Sequence, residues 1–425
     1  MKAALLPGPF LLLLLFLLPP VTASAGVQER IDAAAPGSVV TLPAGVHPGP
    51  VVIGKALTLR GEPGAEVRGN GHGSVIVIRA AGVTVEGLVI SGSGLKLGED
   101  DAGVFLAADD ATVRGNTIRE SLHGIYFKKV RGGRAEGNTI EGKEEIAPAP
   151  GEIRFEAGGP ENCSLDINRR GNGIHLWNSE GITLRGNTIR GTRDGIYLSF
   201  LRDSRIEGNR VSGVRFGFHA MYSDGNRLEN NRFEKNAAGI VMMYSRNLLL
   251  RRNVVRANAG HRAYGLLMLA LDQARVIENR LEGNSVGIYL ELSNTNTFVG
   301  NTVRRSTIGV RLTGSSDDNR FTRNRFTANL HPVEIDGGVG RNRWAVDGVG
   351  NDWGVAVIDF NGDGRGDLPH RETDLLGRLR RPFPLVAFLS GSPGLHLVRF
   401  AQHHARLPRV PAIEDPAPLS PAQFP

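Results

Sequence analysis

The chain has 425 residues, a formal net charge of +7, 56 glycines, 6% aromatic residues and a single cysteine. One cysteine excludes an intramolecular disulfide. The arginines are scattered beside turns without interleaved aromatic residues, which argues against a nucleic-acid partner.

The first residues have the pattern of a secretory signal peptide. Lys2 precedes an unbroken apolar run over residues 10–18, and Ala23, Ser24 and Ala25 form a small-residue cleavage site. The run is too short to cross a bilayer, and no later segment approaches about 20 apolar residues. We therefore predict a signal peptide over residues 1–25, a mature chain outside the cytoplasm and no direct insertion into a membrane.

A repeat of about 22 residues organises most of the chain. Short apolar pairs at period two lie between asparagine and glycine turns, which is typical of strands. Leucine-rich repeats share this length but need regularly spaced leucines, which are absent. The pattern predicts an all-β fold, a single right-handed parallel β-helix with coils about 4.8 Å apart. The asparagines, expected to hydrogen-bond along the axis as a ladder, are at 116, 138, 187, 209, 231, 253, 279, 301 and 324.

The β-helix is expected over residues 26–344. A short N-terminal capping helix is predicted near residues 28–35, an insertion loop over residues 141–170, and an irregular tail over residues 345–425. Because side chains alternate along a strand, the residue after each repeated glycine should point inward. The resulting buried column is Ile174, Ile196, Phe218, Ile240, Leu266 and Ile288.

Two methionines and a histidine are predicted on the outer face of the same strands. His219 and Met221 occupy outward positions on one strand, and Met243 follows Met221 by one repeat of 22 residues. Imidazole and thioether groups favour a soft metal, Cu(I) above all. His261, in an enlarged loop before the next coil, is a candidate fourth ligand. Packing of this face against the insertion or the tail is the alternative interpretation.

The tail contains a second candidate metal site. Asp359, Asn361, Asp363 and Asp367 recur at even spacings around Gly364, as in the first part of a calcium loop. Such a loop would bind calcium through these side chains and the carbonyl of Arg365. The twelfth position is His370 instead of glutamate, so an acidic turn stabilised by its own Asx hydrogen bonds is the alternative.

The phrases at residues 173–177, 193–197, 215–223 and 241–245, followed by 350–353 and 359–369, resemble the NosD family. These are periplasmic maturation proteins of nitrous oxide reductase, and the similarity runs over nearly the whole mature sequence. The resemblance implies a non-catalytic accessory factor that receives and passes on Cu(I). Its implied partners are the membrane subunit of an ABC transporter, a copper chaperone and nitrous oxide reductase.

A carbohydrate lyase, epimerase or hydrolase is the competing interpretation, since such enzymes need acid and base groups in an open groove. The available carboxylates, Asp194, Asp203, Glu207 and Glu291, form no evident pair on one face. A scaffold without a ligand is the third possibility.

Overall fold

A computed structural model describes residues 26–143, 170–258, 260, 263–313, 315–336, 340–372, 392–394, 397 and 413–421. The predicted signal peptide, nearly all of the insertion loop and His261 lie outside these residues. None of the described helices is long and apolar enough to span a membrane.

Twelve coils form three parallel sheets, which confirms the predicted β-helix. In each sheet, every strand pairs with the strand that comes three later in the chain. Sheet A contains the strands Val39–Leu42, Thr58–Gly61, Thr84–Glu86, Thr112–Arg114, Arg134–Glu136, Thr183–Arg185, Arg205–Glu207, Arg227–Glu229, Leu249–Arg251, Arg275–Ile277, Thr297–Val299 and Arg320–Thr322.

The other two sheets have the same number of strands. Sheet B contains Gly45–Pro48, Ala65–Arg68, Val89–Ser91, Thr117–Ser121, Thr139–Gly142, Thr188–Arg190, Arg210–Ser212, Arg232–Glu234, Val254–Arg256, Arg280–Glu282, Thr302–Arg304 and Arg325–Thr327. Sheet C contains Val51–Ile53, Ile76–Ile78, Ala102–Leu106, His123–Lys128, Ile174–Trp177, Asp194–Ser199, Phe216–Met221, Ala238–Met243, Tyr264–Leu269, Val286–Glu291, Ile308–Thr313 and His331–Asp336.

A short helix, Val27–Ala33, covers the N-terminal end of the coil, close to the predicted capping helix. Val27 and Ile31 on its inner face are buried, so the helix shields apolar groups that the first coil would otherwise expose to water. A 3₁₀ turn, Leu97–Glu99, lies within the third coil, between its sheet B strand Val89–Ser91 and its sheet C strand Ala102–Leu106.

The interior of the coil is a stack of apolar side chains. All members of the predicted inward column, from Ile174 to Ile288, are at most 2% exposed. Met242 and Met268 are fully buried beside them. This confirms the inward direction predicted from alternation.

The asparagine column forms the predicted ladder. Asn116 Nδ2 donates to Asn138 Oδ1 at 3.1 Å, and the same bond recurs from coil to coil. The ladder extends one step past Asn324 to Asn351, where the carboxylate of Asp415 receives the final amide bonds. Asp415 belongs to a small antiparallel pair, His370–Glu372 with Ile413–Asp415. The tail therefore returns to the C-terminal end of the coil.

Candidate metal site

The structure brings His219, Met221 and Met243 to neighbouring positions on the outer face of sheet C. Met221 lies opposite Met243 in the register of adjacent strands, and Val241 lies opposite His219. Two residues along one strand correspond to about 6–7 Å. The two thioethers and the imidazole therefore face the same side of two successive coils.

The ring of His219 is oriented by Asp194, whose carboxylate forms an ion pair with Arg215. Nδ1 of His219 lies 3.1 Å from Asp194 Oδ2, and Arg215 donates to the same carboxylate at 2.8 and 2.7 Å. Burial opposes the ionisation of Asp194, but the bonds from His219 and Arg215 outweigh it and hold its pKa at about 2. An ionised carboxylate only accepts hydrogen bonds, so Nδ1 carries the ring proton of the neutral imidazole.

The other ring nitrogen of His219, Nε2, is buried and makes no hydrogen bond with any described residue. With Nδ1 protonated, Nε2 presents a lone pair. A metal-binding imidazole commonly has a carboxylate on its far nitrogen, which fixes the ring and its tautomer. Asp194, His219 and the unpaired Nε2 reproduce that arrangement.

Tyr197 completes the surroundings of the thioether. Its hydroxyl donates to Met221 Sδ at 3.6 Å, and its ring lies 4.9 Å from that of His219. Met221 and Met243 remain partly exposed, whereas His219 is 7% exposed. The face is thus less open at His219 than strand alternation suggested, and its exposed part lies at the two methionines.

Sequence reasoning missed the role of Asp194. Simple alternation backward from Ile196 places Gly195 outward and Asp194 inward. Instead, a Cβ on Gly195 would lie 2.2 Å from Val211 Cγ1 in the core, so two consecutive residues face inward and Asp194 turns outward. Gly195 permits this irregularity because it has no side chain.

Two further histidines lie in the coils before the site. His123 Nδ1 accepts a hydrogen bond from the Asn172 amide at 3.0 Å, so its ring proton is on Nε2. Burial lowers the pKa of His123 to about 4 and that of His175 well below its ordinary value. Their rings are 5.2 Å apart and pack as neutral aromatic groups. Among the described residues, neither ring has a hydrogen-bonded carboxylate partner as His219 has.

The predicted calcium residues form a compact turn. Asp359 accepts from the amides of Gly362 and Gly364, and Asn361 accepts from that of Asp363. Asp363 accepts from the amide of Arg365, and Asp367 from that of Phe360. His370 stacks on Trp353.

No three His, Cys, Asp or Glu side chains among the described residues converge to hold a metal ion. A metal site in this part of the chain would need thioether, amide or carbonyl groups as well. The four carboxylates considered for an enzyme are also separated. Asp194 and Glu291 lie four coils apart on sheet C, Glu207 lies on sheet A, and Asp203 lies at a corner.

Comparison with known proteins points to one family. Residues 158–355 match the family described as periplasmic copper-binding protein (NosD). A probable ABC transporter binding protein NosD from Pseudomonas aeruginosa is 38% identical over 97% of this chain and 95% of its own length. A protein of the same description from Stutzerimonas stutzeri is 35% identical over 89% of this chain and 86% of its own.

Solved structures share the fold. The catalytic domain of a GH87 alpha-1,3-glucanase has a TM-score of 0.59 at 12% identity and covers 78% of this chain and 68% of that domain. A family 28 exopolygalacturonase from Yersinia enterocolitica has a TM-score of 0.52 at 12% identity, with 77% of this chain and 75% of that one covered. At such identities the likeness extends to the β-helix alone.

Proposed function

The chain belongs to the NosD family, and from that premise we propose that it receives Cu(I) and passes it on during maturation of the copper-sulfide centre of nitrous oxide reductase. It acts as a periplasmic accessory protein and not as an enzyme. The family is described as periplasmic and copper-binding, which supports the compartment and the metal.

One observation carries the assignment of the site: the buried Nε2 of His219, which has no hydrogen-bond partner in the described part of the chain, lies beside two partly exposed methionines. Nitrogen and thioether sulfur are soft enough to favour Cu(I) over the hard cations of the periplasm. All three ligands are neutral, so they should hold copper less tightly than thiolates would. A site of this kind suits a protein that must release its cargo. His261 remains our candidate for a fourth ligand.

Replacement of both thioethers tests the site. Met221→Leu/Met243→Leu roughly conserves side-chain volume, so the fold should survive while Cu(I) affinity falls at least tenfold. The matched control is Met242→Leu/Met268→Leu, which makes the same change at buried core positions. Affinity is measured by competition with a chromogenic Cu(I) chelator, and copper content of the reductase reports maturation. Parental affinity and full maturation in the first variant would refute the site.

The proposed partners are the membrane subunit of an ABC transporter, a copper chaperone and nitrous oxide reductase. Two relatives of nearly full length are named ABC transporter binding proteins, which supports the first. Membrane association of this protein should then vanish when the transporter is deleted. Association that persists without the transporter would count against this partner.

We also propose that the turn at Asp359, Asn361, Asp363, Arg365 and Asp367 binds one calcium ion. Oxygen-rich turns of this kind suit a hard cation, and the amide of Gly366 bonds to Pro418 in the returning tail. Calcium should therefore raise the melting temperature, and Asp359→Asn/Asp363→Asn should abolish that effect, unlike Asp347→Asn at an exposed turn. If a calorimetric titration with calcium shows no heat of binding, the proposal is wrong.

A further inference from the structure

Six arginines line up on the outer face of sheet A. The strand register stacks Arg134, Thr183, Arg205, Arg227, Leu249, Arg275, Thr297, Arg320 and Arg343 in one column. Eight coil steps of about 4.8 Å make this arginine stripe roughly 38 Å long. Arginines that are scattered in the sequence thus share one row in the fold, which Thr183, Leu249 and Thr297 interrupt.

None of the six side chains forms an ion pair or hydrogen bond with another described residue, and all are exposed. Sheet B offers the contrast. Most arginines in the corresponding column of sheet B have acidic partners: Arg232 pairs with Glu234, Arg280 with Glu282 and Arg325 with Asp352. In the neighbouring column of sheet B, Arg256 pairs with Glu234 and Arg304 with Glu282 across adjacent coils. On sheet B, charge therefore stabilises the stacking of coils. On sheet A, like charges stand in adjacent coils at Arg205 and Arg227, which opposes that stacking.

Two acidic residues beside the stripe already have basic partners. Glu207 pairs with Arg185, and Glu229 approaches Arg251. Folding does not require arginine in this column either, since Thr183 and Thr297 occupy the same position in other coils. The stripe is thus a surplus of positive charge on a regular surface.

An exposed aromatic strip connects the stripe to the candidate copper site. Phe200, Tyr222 and Tyr244 stack at 5.2 and 5.1 Å at the corner between sheets C and A. They are 45–49% exposed, and each has a left-handed backbone, with φ of 50–55°. Tyr222 directly follows Met221, and Tyr244 directly follows Met243.

We propose that the aromatic strip and the arginine stripe form the docking surface for an acidic face of the protein that exchanges copper with the site. The partner surface should be acidic because the arginine stripe is positively charged. Tyrosine and arginine are also enriched among the residues that anchor protein interfaces. The surface turns a corner of the coil, so a concave protein can cover both parts while a flat bilayer cannot. The inference rests on the proposed copper function.

The test removes two positive charges from the part of the arginine stripe that adjoins the aromatic strip. Arg205→Gln/Arg227→Gln is compared with Arg256→Gln/Arg304→Gln, which lowers the net charge equally on sheet B. Binding kinetics are measured at low and physiological salt against three purified probes: the copper chaperone, the apo-reductase and the detergent-solubilised ABC transporter. With at least one probe, the first variant should lose about tenfold in association rate and most of its salt dependence. The control should keep both.

Equal behaviour of the two variants, or no binding of the parent to any probe at low salt, would overturn the proposal. Vesicles of phosphatidylglycerol and phosphatidylcholine in equal parts provide a further arm. If only vesicle binding depends on Arg205 and Arg227, the surface faces a membrane and the proposal is wrong. Cu(I) affinity is measured on the same variants and should be parental. Failure of the parent to bind Cu(I) would instead refute the site, independently of docking.

Discussion

At the scale of single residues, the tautomer of His219 decides whether the site can take a metal. A neutral imidazole offers one donor and one acceptor, and the carboxylate of Asp194 assigns the donor to Nδ1. The bidentate bonds from Arg215 keep that carboxylate ionised and in place. Asp194 is therefore the positioning residue for His219 in the proposed copper site.

Asp194→Asn tests this role. An asparagine can turn its amide NH₂ toward Nδ1, which would shift the ring proton to Nε2 and remove the lone pair. We expect Cu(I) affinity to fall by about 10–100-fold, with a change in the ¹⁵N shifts of the His219 ring that reports the new tautomer. Asp203→Asn, at an exposed turn, is the control. If the tautomer changes but the Cu(I) affinity does not, His219 is not a copper ligand.

The buried histidines before the site make stability depend on pH. Burial lowers the pKa of His123 from 6.5 to about 4, so the unfolded state takes up the proton first as the pH falls. The free energy of unfolding contributed by the neutral ring is thus intact above pH 6.5 and is lost as the pH falls from 6.5 toward 4. Denaturant titrations of His123→Gln/His175→Gln should show a shallower loss between pH 7 and 5.5 than the parent. An identical slope would contradict the assignment.

At the scale of strands, alternation predicted most directions correctly and failed where glycine breaks it. The inward column and the core methionines followed from apolar residues at period two. The outward turn of Asp194 did not, because it depends on Gly195 packing against Val211 in the next coil. Contacts between coils also set the burial of His219, and sequence spacing within one strand does not contain them.

A charge placed in the inward column should disrupt the coil. Ile240 is 2% exposed among apolar neighbours, so Ile240→Asp buries a carboxylate without a partner. We expect a loss of more than about 4 kcal/mol in the free energy of unfolding. Thr188→Asp, at an exposed outward position, should change it by less than about 0.5 kcal/mol. Chemical denaturation followed by circular dichroism distinguishes the two, and similar stabilities would contradict the inward assignment.

At the scale of the whole molecule, the β-helix has two ends that must be closed. The repeat predicted the coil and its ladder, since asparagine at constant phase admits few other folds. It did not predict that Asn351 continues the ladder or that Asp415, 64 residues later, terminates it. A long-range contact of this kind leaves no periodic trace in the sequence.

Asp415 provides the last test, because it joins the tail to the coil. Its buried carboxylate accepts from the Asn351 amide at 2.8 Å and from Trp353 Nε1 at 2.9 Å. Asp415→Ala leaves these donors without partners, which should cost at least about 2 kcal/mol. Glu414→Ala, which removes only a surface pair with Arg371, should cost much less.

Hydrogen exchange shows where Asp415→Ala loosens the coil. Because parallel sheets stack coil by coil, local unfolding should begin at the C-terminal end. Exchange should be faster around Asn351 and Asn324, while the coils near Asn116 stay protected. Uniform exchange along the ladder would mean that the coil unfolds as one unit and that the tail does not act as a local cap.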